Sequence, residues 1–353
     1  MINLLTRGLL GAARQSLYRW RQYGADISGG TNDFGFGENA AISPDGTTVA
    51  VYKSLYQYQF SPARYTGTVT VFRWNGQRYA QIGQEITRNE QNNSFGKGLQ
   101  LSSTGNRIAI LKTGEGFIYD FNGTQWTQNV QVTSAQSMAI SGDGLRFVKG
   151  HTEGGAFVYD YNGTTWIGSQ LGGESLGWRI SQNGIRVANN VGRIFELQSG
   201  TWVQIVNLNL GAPSQFAGNA WLNADGTMFA QSTGSEVKIF KEAPAGTWTQ
   251  LGGTFTGGGP SNVMSCAMSA NGRLIIRDLV IGAPVNTWTV KAYEYLNNSW
   301  QQIAPTRIFY NSLNQSSAQI SGDGKTFGFG ATQGSRNGDP SSYSYSMHRK
   351  ELD

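Results

Sequence analysis

The chain has 353 residues, 48 of them glycine, with 12% aromatic and only 14% charged residues, a composition that excludes a disordered or coiled-coil chain and fits short strands joined by tight turns. The net charge of +5 is concentrated at the start, because residues 1–25 carry Arg7, Arg14, Arg19 and Arg21 and no acid. The rest is nearly neutral, which excludes a general nucleic-acid surface, and no apolar run reaches the length of a membrane span.

Residues 1–17 differ in character from the rest of the chain. Taken as a helix, they put Ile2, Leu5, Leu9, Ala12 and Ala13 on one face, opposite Arg7 and Arg14. Gly8 and Gly11 weaken such a helix, so the segment is expected to order only against a partner. Arg7 interrupts the apolar run and makes a poor signal peptide, although an acid-free stretch bearing arginine has some likeness to an organelle transit peptide. We read 1–17 as a docking peptide, helical or extended, whose contact residues are Ile2, Leu5, Arg7, Leu9 and Arg14.

From there a turn of the form Ser-x-x-Gly returns seven times, at Ser43–Gly46, Ser102–Gly105, Ser141–Gly144, Ser181–Gly184, Asn223–Gly226 (Asn for Ser), Ser269–Gly272 and Ser321–Gly324. Before each turn stands a short apolar run such as Ala40-Ala41-Ile42, and after it an alternating run such as Thr48-Val49-Ala50-Val51. A third run comes next in most copies (Val69–Phe72, Gly116–Tyr119, Ala156–Tyr159), then an Asn-Gly type turn and a fourth run opened by Tyr79, Trp126, Trp166, Trp202, Trp248 or Trp300. Each copy therefore reads as a four-stranded antiparallel meander that cannot bury its own apolar faces, and seven copies make a seven-bladed β-propeller.

Seven turns but six aromatic-led fourth runs leave one strand missing, because the last copy passes through Phe327-Gly328-Phe329 and Tyr343–Met347 without one. Trp20, Gly24 and Ile27 align with Tyr79, Gly83 and Ile86, so residues 18–27 are expected to be the outer strand of blade 7. The expected organisation is thus a docking peptide over 1–17 and an all-β propeller over 18–353, closed by its N-terminal strand.

Two copies are longer than the rest between their second and third strands. The first holds Tyr56, Tyr58, Phe60, Arg64 and Tyr65, and the last holds Arg336 and Tyr343. Both are expected to be recognition loops, since binding concentrates in long loops on a rigid scaffold.

These features resemble the FG-GAP-like, integrin-α-type propeller repeats of marine microbial and viral proteins. The resemblance rests on Trp20 with Gly24–Gly29, Phe36-Gly37, Ser43–Val51, Val71–Gly76, Phe95-Gly96 and Ile281–Pro284, and it covers about residues 18–350. It implies an adhesion or assembly surface. The family's calcium loop, Asp-x-Asp-x-Asp-Gly, is missing here, and no metal or cofactor is expected.

The residues themselves offer little chemistry. Asp45, Asp143, Asp225 and Asp323 sit where Thr104, Asn183 and Asn271 stand in other copies, which is turn chemistry and not metal ligation. His151 and His348 lie near blade strands and are read as surface or interblade residues. Cys266, the single cysteine, lies in an apolar run and is read as a buried inert thiol. No catalytic triad or phosphate loop stands out. The expectation is a non-enzymatic structural or attachment protein of a virion, docked to other proteins of an assembly through 1–17. A cell-surface or extracellular setting is the alternative place. A carbohydrate-binding propeller using Tyr56, Tyr58 and Tyr65 is the second functional reading, and an enzyme working in the central channel is the third.

Overall fold

The repeated turn is built by its own side chains. Ser43 Oγ donates to Asp45 Oδ1 at 2.5 Å and accepts the Thr48 N–H at 2.9 Å, while Asp45 Oδ1 also takes the Thr47 N–H at 2.9 Å. Gly46 closes the turn at φ +74°, a conformation that costs glycine little. The same pattern holds at Ser141, Ser181 and Ser321. At Asn223 the amide oxygen replaces the serine hydroxyl and accepts the Met228 N–H at 2.8 Å.

The computed structural model describes residues 20–350 apart from 30–32, 58–63, 89–93, 152–154, 173–176, 212–219, 234, 258–262, 281–286, 305, 311–317 and 334–341. The described strands form seven antiparallel sheets, each a meander running from an inner strand through second and third strands to an outer one. The apolar residues fall into seven clusters, one between each pair of neighbouring blades. The seventh cluster joins Tyr345 and Met347 of blade 7 to Val49, Val51 and Tyr79 of blade 1, so the core is a closed circle.

Blade 7 is completed as the alignment requires. Trp20–Gln22 pairs antiparallel with Ser342–Lys350, and Ile27–Ser28 pairs with the same strand, placing Trp20 opposite Lys350 and Ile27 opposite Tyr345. Tyr23 stacks on Trp74 of blade 1 with ring centroids 3.9 Å apart, and Arg349 donates to its hydroxyl at 2.7 Å. Gly24 and Gly83 do the same work: φ is +81° and +64°, and an added Cβ would stand 2.9 Å from Trp74 and 2.8 Å from Trp126 respectively. Each makes room for an aromatic ring of the next blade. Residues 1–17, the expected docking peptide, lie outside the described residues.

Successive turns are joined to one another by backbone hydrogen bonds. Ser103 donates to Gly142 O, Gly142 to Gln182 O, Asn183 to Ala224 O, Ala224 to Ala270 O, Ala270 to Gly322 O and Asp323 to Pro44 O, at 2.7–3.4 Å. Blade 1 carries Pro44 at this place and proline has no N–H to give. Arg73 bridges that link instead, donating to Gly105 O at 3.1 Å and Asn106 Oδ1 at 2.9 Å. Elsewhere the residue opening the second strand reaches the next blade's turn glycine. Arg107, Arg146, Arg186 and Arg273 donate to the carbonyls of Gly144, Gly184, Gly226 and Gly324. Each also pairs with an acid of its own third strand, Asp120, Asp160, Glu196 or Glu294.

Candidate functional site: three tall hairpins on one face

Antiparallel succession decides which loops share a face. Within every blade the turns between strands one and two, and three and four, point to one end of the ring. The hairpins between strands two and three point to the other, together with the connections between blades. We call these the turn face and the hairpin face. Trp20 pairs with Lys350 at the turn-face end of blade 7, so residues 1–19 are attached on the side away from the hairpins.

The hairpins are unequal. The second strands of blades 1 to 7 are 10, 6, 6, 4, 5, 7 and 8 residues long. At about 3.3 Å per residue the blade 1 strand outruns that of blade 4 by about 20 Å. Blades 6, 7 and 1 are neighbours in the ring, and the three longest strands make a wall along one side of the hairpin face.

The two insertions read as loops are partly strand. Thr48–Gln57 and Arg64–Trp74 pair as far as Tyr56 with Tyr65 and Gln57 with Arg64. Thr326–Gln333 and Ser342–Lys350 pair through Thr332 with Tyr343. Tyr56, Arg64, Tyr65 and Tyr343 therefore sit in extended sheet, at the ends of hairpins projecting from adjacent blades. The run Tyr56-Gln57-Tyr58-Gln59-Phe60 alternates ring and amide with the period of a strand, and that signal marked the extension. Tyr58, Phe60 and Arg336 lie outside the described residues. Blade 6 joins the wall through Val280 paired with Thr287, a third hairpin the sequence reading missed.

Near its base the blade 1 hairpin is held by polar contacts. Lys53 Nζ meets Glu85 Oε1 at 2.7 Å, and the Thr68 and Thr87 hydroxyls are 3.1 Å apart across the third and outer strands. Burial pushes the Glu38 carboxyl up from its ordinary value, against the pull of Lys97. Tyr52 beside it is also raised, chiefly by burial.

The remaining candidates fall into structural roles. The turn aspartates accept hydrogen bonds within their own turns, as described for Asp45. Cys266 is buried and its thiol is pushed up to about 12 by desolvation, which leaves it unreactive near neutral pH. His348 takes the interblade place and not the surface one: it is buried, stacked 5.2 Å from Phe327 and 5.0 Å from Phe329, which belong to the cluster between blades 6 and 7. The outer-strand tryptophans pack between blades, with Trp126 Nε1 donating to Ile82 O at 3.1 Å and Trp300 Nε1 to Leu251 O at 2.8 Å.

The chain is similar to the solved β-propeller domain of Cps50 (Swd1) from Myceliophteria thermophila, with a TM-score of 0.60 over 91% of this chain and 98% of that one. Sequence identity is 10%, so the likeness is one of fold. No family model and no curated protein matches the chain.

Proposed function

We propose that this propeller is a non-enzymatic interaction module of a larger assembly, with the hairpin wall of blades 6, 7 and 1 as its recognition surface and residues 1–17 as its anchor. One observation carries the reading. The inner turns are uniform around the ring, whereas among the described residues second strands of seven or more residues stand on three consecutive blades. Extension without closer packing gains little for the fold, so it is best explained by contact with another molecule. The anchor is attached at the opposite face, an arrangement suited to holding the propeller at one end and presenting the other. The setting we favour is a virion, on the resemblance to FG-GAP-like viral repeats and the Arg-bearing amphipathic character of 1–17, with a cell-surface or extracellular place as the alternative.

The test is cross-linking mass spectrometry of the full chain within its native particle. Cross-links from residues 1–19 and from the hairpins should reach different neighbours. A chain that does not co-purify with particles would overturn the virion setting, and hairpins that cross-link to nothing would overturn the recognition surface. The carbohydrate reading keeps one supporting observation, the register pair Tyr56 and Tyr65 at the blade 1 tip. A glycan array response abolished by Tyr56→Ala would favour it over protein contact.

A further inference from the structure

The seven inner strands surround the axis of the ring, at Ala40–Ile42, Gly98–Leu101, Ser137–Ile140, Trp178–Ile180, Ala220–Leu222, Val263–Met268 and Ala318–Ile320. They contain one charged residue, Arg179. At its level, two residues before each turn, the other blades supply Ala41, Gln100, Ala139, Trp221, Ala267 and Gln319. The guanidinium carbon lies 5.4 Å from the centre of the Trp221 ring on the next blade, and one nitrogen donates to Trp178 O at 3.0 Å. Cys266, on the blade beyond, acts on its titration.

Among the described residues no carboxylate pairs with Arg179. That sets it apart from Arg107, Arg146, Arg186 and Arg273, each of which has an acid. Desolvation pushes its guanidinium below the ordinary value, opposed by Cys266. A second group beside it is also unsatisfied: Trp221 Nε1 is buried and meets no acceptor. A half-buried cation with no acid partner and an orphaned donor each cost free energy, and both costs fall if one anion meets both.

Below this level one side chain spans the channel. Gln182 of the blade 4 turn reaches across to blade 7, where a Cβ on Gly322 would stand 2.7 Å from its Nε2. The ring of turn-to-turn hydrogen bonds surrounds that plug. An anion therefore arrives from the hairpin face.

We propose that the axial channel is a socket for a single carboxylate, held by the guanidinium fork of Arg179 and the indole N–H of Trp221. One positive charge, partly withdrawn from water, matches one negative charge. The planar fork fits a carboxylate in two-point contact, and the other polar side chains at this level, Gln100 and Gln319, are neutral, so nothing there balances the second charge of phosphate or sulfate. The carboxylate comes either from a free small acid or from an acidic side chain of a polypeptide. The socket stands whether or not the hairpins engage a partner.

Isothermal titration calorimetry on the full chain tests this with sodium acetate, with the blocked peptide acetyl-Gly-Gly-Asp-Gly-Gly-amide, and with inorganic phosphate, each against sodium chloride at equal ionic strength. Saturable binding of acetate alone assigns a free acid, and tighter binding of the peptide assigns a side chain. Either supports the socket. Arg179→Met should weaken carboxylate binding by about tenfold or more, as expected for loss of a charged hydrogen-bonded partner, while leaving the free protein melting no lower than the parent. Trp221→Phe keeps the ring and removes the donor, so affinity should fall by roughly threefold to tenfold. No saturable response beyond chloride, tighter binding of phosphate than of either carboxylate, or unchanged affinity in both variants would overturn the proposal.

Discussion

Blades 2 to 5 and blades 6, 7 and 1 are made from one repeat and share one end. At the turn face both groups link turn to turn and set a side chain against the next blade's glycine. At the hairpin face they part, with second strands of 4–6 residues on one side and 7–10 on the other. The difference comes from what each end touches. A turn glycine is hemmed in by the preceding blade, as Gly226 is by Arg186 and Gly272 by Met228, so length there is not free to vary. A hairpin growing away from the ring meets no such limit, and the repeat can be lengthened where function asks for it.

The largest effect should come from the tall side, where the ring is closed. Deleting residues 1–28 removes the outer strand of blade 7, with the buried Ile27 and the Tyr23–Trp74 stack, and should lower the melting temperature by about 10 °C or more in a circular dichroism scan. Deleting only 1–19 should leave it nearly unchanged. Equal melting of both truncations would break the claim that this strand seals the circle. Gly330→Ala comes next: the new methyl would run into the backbone of Gly37 on blade 1, which cannot yield as a flexible side chain can. A cost of about 3 kcal/mol is expected from denaturant titration.

On the low side the decisive contact is Arg186, which reaches Glu196 and Glu242 at 2.5 Å each. Arg186→Met leaves both acids without their cation and should cost about 2 kcal/mol. Its pH dependence sharpens the point. The Gln198 hydrogen bond, opposed by burial and aided by Arg186, holds the Glu196 carboxyl below its ordinary value. A lowered folded value means stability that is present above the unfolded value and lost as pH falls through the folded one. That acid-side loss should shrink in Arg186→Met. The smallest effect is expected from replacing residues 58–63 with Asn-Gly, which should change stability by less than about 0.5 kcal/mol, since the remaining strands keep their register. A large loss there would mean that the tall hairpins serve the fold itself.

The propeller was legible because each repeat carries its own punctuation. Ser, Asp or Asn, and Gly at fixed spacing make the turn without help from elsewhere, and the match of Gly24 to Gly83 was enough to find the closing strand. The interblade arginines recur four or five residues after the turn serine in blades 2, 3, 4 and 6, with threonine in that place in blades 1 and 7, yet their reach to the next blade depends on how sheets pack and no single blade reveals it. Arg179 was visible as a lone charge in the apolar run Trp178-Arg179-Ile180, but only the assembled ring shows that no acid among the described residues pairs with it. The stacking partners of His348 were hidden for the same reason. Its stacking between Phe327 and Phe329 belongs to a strand pair whose register is set by tertiary structure.

The seam in blade 7 also bears on how freely the molecule can be rewired. Because Trp20 is the register partner of Lys350, a two-residue turn inserted between them would convert that sheet into an uninterrupted meander. The break in the polypeptide could then be moved to any connection between neighbouring blades, such as 89–93 or 173–176. Circular permutants of this kind would carry their new ends on the hairpin face, so an anchor fused there would turn the whole disc over without altering a single packed side chain.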